Sequence, residues 1–281
     1  MVYETGIIKE MNGEGKIEPK NYVIKRLDRS HLAQIMKLQR LIVRNLSRSD
    51  MLASFSRHFM QDHIESHGFI LGVFVEDRLI AFRNVYFPSN DDSQWNLGFD
   101  LGFDSETRNR VANLQMVCVH PDYRGNSLAL KMNRVALHLL RLHKTQNEIC
   151  ATVSPYNVWN IRILLKCGFY IRALKSKYGG KLRYIVHQDL RQPGLCFEDG
   201  SVRVPYNDIE RLETLLKAGY VGVAIVQDSD PASNLVCDDY HILFKRPIDA
   251  ATVVPALEIL ETICIVGGML EETPQAIACI A

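Results

Sequence analysis

The chain of 281 residues is 47% hydrophobic and 23% charged, an ordinary globular balance that excludes a disordered, collagenous or low-complexity protein. Its 33 Lys and Arg stand against 32 Asp and Glu, a net charge of +1, without the basic excess that binding a phosphate backbone leaves in a sequence, so nucleic acid is not an expected partner. At about 150 residues per domain the length suggests roughly two domains.

Residues 1–20, rich in Gly and Glu and without apolar periodicity, read as a flexible leader. The first fifteen carry three Glu and one Lys and no long apolar run, so no secretory signal is expected and the location expected is cytoplasmic. From Tyr22 the pattern becomes regular: YVIKRL alternates like a strand, and Ser30 is a suitable N-cap for a helix to about Leu46, with Leu32, Ile35, Met36, Gln39 and Ile42 near one face. A second helix is expected to start at Asp50. FILGVFV and LIAFRNVYF, joined by Glu76-Asp77-Arg78, read as an antiparallel hairpin. Pro88 to Asn113, polar but carrying Trp95 and Phe99, reads as a functional insert. Then come a strand over Leu114–Val119, a helix from Ser127 to about His143, a strand ICATV, a helix over Val158–Lys166 stopped by Gly168, and a strand RYIVHQDL. This order predicts an α/β (α+β) domain over residues 21–191, with a mixed, partly antiparallel sheet flanked by helices.

Gln192-Pro193-Gly194 is the best linker signal, and residues 195–281 read as a smaller C-terminal α/β lobe of three strands and one helix. From Pro247 onward there is no Lys or Arg but five carboxylates, while residues 1–246 carry 33 cations and 27 carboxylates. This apolar acidic tail is expected to dock on its own domain or across a homodimer. Ala250–Met269 is interrupted by Pro255, Glu258 and Glu261, so no membrane span is expected. The seven cysteines form no CxxC pair and read as free, reduced thiols. His58, His63 and His67 invite a metal reading, but HIESH lacks the order of a zinc motif; they read as a solvated helix face, with no metal.

The stretch that carries chemistry runs from Val117 to Ala129, VCVHPDYRGNSLA. A strand ends, a loop of small residues follows and a helix begins, so unpaired amides at the positive end of a helix dipole can hold a phosphate. The Gly-Lys-Ser/Thr ending of a Walker loop and the glycine triad of a dinucleotide site are both missing.

From Val119 to Ala129 this stretch resembles the acetyl-CoA signature of the GNAT acetyltransferase family, V-x-P-x-x-R-G-x-G-x-G/A. A second match lies downstream, where Asn157 stands eleven residues before Gly168-Phe169. The resemblance implies a GNAT-like fold over about Tyr22–Leu190 and acetyl-CoA as co-substrate. It also implies a loop of Arg124, Gly125, Asn126, Ser127, Leu128 and Ala129 against the pyrophosphate, the strand residues Val117, Cys118 and Val119 beside the thioester, and Asn157 near the pantetheine arm. Ser127 replaces the family's middle Gly, Asn160 its Ala, and Leu164 the Tyr that in many members protonates the departing thiolate. Tyr156 and Tyr170 are the nearest phenols in sequence to supply that acid, with Tyr156 preferred, and Asp100, Asp104 and Glu106 of the insert are candidate bases. Arg124, Lys131 and Arg134 are candidate phosphate partners, and Cys118 reads as an inert buried thiol. The implied activity is N-acetyl transfer to a primary amine on a small molecule or peptide. The alternatives are a CoA-binding sensor or scaffold that has lost catalysis, and an interaction module whose motifs are coincidental.

Overall fold

A computed structural model describes residues 1–11, 15–46, 48, 50–192, 194–227 and 240–248. The chain divides into two compact units, Met1–Leu190 and Arg191–Ala281. The expected tail from Asp249 onward lies outside the described residues.

The first unit runs β1 (Val2–Met11), β2 (Ile17–Arg26), α1 (Leu32–Arg44), α2 (Arg57–Glu65), β3 (Gly68–Val75), β4 (Arg78–Tyr86), α3 (Ser105–Arg108), β5 (Val111–Val119), α4 (Leu128–His143), β6 (Glu148–Val153), α5 (Val158–Lys166), β7 (Tyr170–Lys177) and β8 (Lys181–Asp189). Its strands lie in the order β1-β2-β3-β4-β5-β6-β8-β7. All neighbours are antiparallel except β5 and β6, the mixed sheet expected. Leu32, Ile35, Leu38 and Ile42 recur at helical spacing on α1 and pack with Met60, Phe74, Phe82, Met116 and Cys118 into the main core. A second core joins Leu97 of the insert to Val111, Cys150 and Ile185.

Residues 2–11 and 17–20 are not the flexible leader expected from sequence: β1 pairs with β2 from Val2 opposite Lys25 to Met11 opposite Ile17. The hairpin leaves Ile7 (72%) and Ile17 (59%) exposed and buries Ile8, so it lacks the one-sided apolar pattern by which a strand is read. The second helix starts at Arg57 rather than at Asp50, with Ser56 Oγ accepting from the Phe59 amide at 3.1 Å. Before α1 it is Asp28 that caps, taking the Ser30 amide at 2.9 Å. Strand β7 escapes a period-two reading because its register with β8 shifts between Ile171 and Ala173.

The second unit, taken by itself, holds β9 (Val202–Pro205), α6 (Ile209–Lys217), β10 (Val221–Gln227) and β11 (Tyr240–Lys245), with antiparallel order β10-β11-β9. Asp208 caps α6, whose Leu212 and Leu216 are buried. Among the described residues no helix is long and apolar enough to cross a membrane.

Candidate active site

The parallel pairing of β5 with β6 covers only Val111–Asn113 against Glu148–Cys150. Beyond it β5 stays with β4 as far as Val119, while β6 follows β8 as far as Val153. The two central strands therefore part, and a register shift in the β4–β5 ladder between Asn84 and Val85 leaves Gln115 as the extra residue at that point. Strand amides point alternately to the two edges. The His120 amide donates to Ile80 O at 2.8 Å on the β4 side, so Val117 and Val119 turn their N–H groups toward the opening. Two fixed donors there suit the stabilisation of developing negative charge. The Cys118 side chain is buried and its thiol is pushed up to about 12 by desolvation, which leaves it inert as a nucleophile.

Past Val119 the chain makes a 3₁₀ turn over Pro121–Tyr123 and enters α4 through Arg124, Gly125, Asn126 and Ser127. Gly125 has φ +81°, and a Cβ built there would meet nothing within 4 Å. Ser127, where the family pattern has Gly, is left-handed (φ 57°, ψ 22°) rather than helical, a conformation costing a residue with a Cβ about 1–2 kcal/mol. No side chain caps α4, whereas Ser56, Asn157 and Asp208 cap α2, α5 and α6. The first amides of α4 thus keep their donors for an anion. Leu128 is buried and anchors the helix start, Ala129 is half-buried, and Arg124 and Gly125 are exposed. The Asn126 side chain is engaged with the backbone of Lys9, and Lys131 Nζ binds Glu4 Oε1 at 3.0 Å and Tyr22 Oη at 2.9 Å. Arg134 is exposed.

On the other side of the opening, β6 ends at Val153 and Tyr156 follows, half-buried, with the Arg48 guanidinium 3.9 Å from its ring centre. Tyr170 instead sits level with Cys150, the last closed pair, on β7, three strands from β5. Asn157 is the N-cap of α5, its Oδ1 accepting from the Asn160 amide at 3.1 Å. Leu164 is fully buried. The insert carboxylates are held elsewhere: Asp100 by Lys177 Nζ at 2.8 Å, Asp104 as the cap of α3, Glu106 by Arg110 at 2.8 Å. The Thr107 amide holds the Asp104 carboxyl below its usual range.

Several residues at the site carry no motif signal. Helices α1 and α2 pack on β3–β5, yet their connection reaches β8: Arg183 donates to Asp50 O at 2.5 Å and Lys181 to Leu52 O at 3.0 Å. Asp50 and Leu52 thus meet β8, which lies beyond the opening from β4 and β5. Tyr178 stacks on Trp95 (5.5 Å) and meets Thr152 Oγ1 at 3.2 Å. The fully buried Tyr184, opposite Val153, has no hydrogen-bond partner for its hydroxyl, and burial pushes that phenol up. His63 is buried, not part of a solvated face; His58 and His67 are exposed. Among the described residues no metal-binding cluster of His, Cys, Asp and Glu is present.

Solved structures of similar fold include a GNAT-family acetyltransferase from Streptococcus pneumoniae (13% identity, TM-score 0.47, covering 60% of this chain and 99% of that one). Others are an N-acetyltransferase from Staphylococcus aureus (13%, 0.46, 61% and 99%) and the PaiA N-acetyltransferase from Thermoplasma acidophilum, solved with coenzyme A (15%, 0.43, 60% and 98%). No curated protein matches the sequence. The acetyltransferase (GNAT) family model matches residues 37–169, from within α1 to Phe169 just after α5. That match takes in the parted strands and the loop before α4, so this segment is similar to the acetyltransferase (GNAT) family.

Proposed function

We propose that this protein is an N-acetyltransferase that moves an acetyl group from acetyl-CoA to a primary amine on a small molecule or peptide. The observation that carries the reading is the parting of β5 from β6 directly before an uncapped helix N-terminus, inside the family-matched segment. The residues fit the group: Gly125 stands beside a space that even a Cβ there would not fill, and no side chain caps the α4 amides that follow, as a pyrophosphate requires. Acetyl-CoA, when bound, supplies the activated thioester.

The chain's own contribution is mostly backbone. Val117 and Val119 present N–H groups to negative charge that builds in the opening. Tyr156, at the open end of β6 beside Arg48, holds a proton for a departing anion. Because the insert carboxylates are already paired or capping, the amine loses its proton to solvent rather than to Asp100, Asp104 or Glu106. Trp95 of the insert and Tyr178 of the β7–β8 turn, stacked on each other, give the acceptor aromatic surroundings.

Calorimetric titration of acetyl-CoA tests the cofactor site. Val at position 125 must adopt a left-handed backbone at a cost of about 1–2 kcal/mol and places its side chain where the anion approaches, so Gly125→Val should weaken binding about tenfold or more. Unchanged affinity in that variant overturns the assignment. Single-turnover measurement with a panel of amines tests the chemistry. Tyr156→Phe should slow transfer by about 10²–10⁴-fold, and a loss under about threefold, far below that range, removes Tyr156 from the reaction. Leu164, buried where the family pattern has Tyr, favours one second reading, a CoA-binding sensor without catalysis; binding of acetyl-CoA with no turnover of any amine would establish it.

A further inference from the structure

We infer that the β1–β2 hairpin is a clasp that holds the loop before α4 in its anion-accepting shape, with Asn126 as the positioning residue between them; the ligand named for that loop rests on the function proposed above. The hairpin lies outside the family-matched segment, which begins at residue 37. Strand β2 pairs with β3 only over Val23–Arg26, so the distal half of the hairpin overhangs the sheet.

Lys9 stands opposite Pro19, which has no N–H to give. At this outer edge of β1 the Lys9 backbone points away from β2 and meets the Asn126 side chain: the Lys9 amide donates to Oδ1 at 2.8 Å, and Nδ2 donates to Lys9 O at 2.6 Å. A primary amide offers an acceptor oxygen and two N–H donors, so its oxygen and one N–H pair with Lys9 as a neighbouring strand would. Nδ2 also donates to Tyr123 O at 3.0 Å, closing the loop on itself.

The neighbouring residues grip both flanks. Tyr123, 2% exposed, donates its hydroxyl to Glu10 Oε1 at 2.5 Å. Arg78, the first residue of β4, lies 3.9 Å from the same oxygen and 2.6 Å from His120 Nε2. Beyond the loop, in the first turn of α4, Lys131 reaches Glu4 and Tyr22 of the hairpin. What these contacts hold is a left-handed Ser127 with no capping bond of its own. Such a conformation persists only where its surroundings over-determine it.

The test uses the full chain and four forms: wild type, Asn126→Ala, Ser127→Gly and the double variant. Acetyl-CoA affinity is read by calorimetry, and loop opening by the rate of tryptic cleavage after the exposed Arg124. Asn126→Ala should weaken acetyl-CoA about tenfold and speed cleavage several-fold, with the far-ultraviolet spectrum unchanged. Gly visits left-handed conformations freely, so adding Ser127→Gly should return affinity to within about threefold of wild type, a rescue that general destabilisation cannot give. Tyr123→Phe, which keeps the ring and removes only the Glu10 bond, should weaken affinity in the same direction. The clasp is overturned if Asn126→Ala leaves cleavage and affinity unchanged, or if Ser127→Gly fails to rescue. Wild type that binds no acetyl-CoA, with cleavage still accelerated in Asn126→Ala, upholds the clasp and overturns the cofactor reading alone.

Discussion

Acidification should destabilise the first unit through His63. The imidazole is fully buried on α2 between the rings of Phe59 (4.0 Å) and Tyr86 (4.1 Å, nearly parallel), and its Nδ1 lies 2.7 Å from Asn84 Nδ2. Its Nε2 has no hydrogen-bond partner. A cation there would lose hydration and gain no acceptor, and desolvation lowers the pKa from 6.5 to about 4. Above pH 6.5 both the folded and unfolded forms are neutral and nothing is lost. Between 6.5 and 4 the unfolded chain binds the proton that the folded chain refuses, so stability falls as pH falls. At 1.36 kcal/mol per unit the full loss is about 3 kcal/mol, of which about 2 kcal/mol is reached by about pH 4.5. Urea unfolding of wild type and His63→Phe at about pH 7 and about pH 4.5 isolates the term, because Phe keeps the stacking without the titration. Wild type should lose about 2 kcal/mol more than the variant on acidification. Equal losses, within about 0.5 kcal/mol, would refute the reasoning.

Asn157→Ala should remove the α5 cap and cost about 1 kcal/mol of stability, read by thermal or urea unfolding; acetyl-CoA affinity should change little, and the reverse pattern would make Asn157 a cofactor ligand instead. Lys177→Ala should strand the largely buried Asp100 carboxylate, 14% exposed, at a cost of about 3–5 kcal/mol. Asp100→Asn together with Lys177→Met should recover most of that loss in the same unfolding assay. Leu164→Tyr, although it restores the family residue, should destabilise by about 1–3 kcal/mol through overpacking; a variant as stable as wild type would mean that the site has room for a phenol.

The local signals in the sequence were sufficient where one face of an element is buried and periodic. Helix α5 was expected over Val158–Lys166 and is found there, with Gly168 at φ +90° ending it. The turn at Glu76-Asp77 is equally local, since it depends on residues adjacent in the chain. Strand β1 was not legible, because its stability comes from pairing with β2 and from the loop it grips more than a hundred residues away. The sequence could name Ser127 as a departure from the family pattern but not its left-handed backbone, which the contacts around it determine. Asp100, Asp104 and Glu106 were candidate bases only by proximity in the chain, and Lys177, 77 residues further on, takes the first of them out of consideration. His63 and His67 share a helix face by spacing, yet Tyr86 and Asn84 bury one and solvent keeps the other. Short-range periodicity thus determined most of the helices and strands between Tyr22 and Leu190. Which carboxylates are paired, which hydroxyls are stranded and which loop is held in strain depended on strand pairing and on side chains meeting across long separations, and only the tertiary structure brings those together.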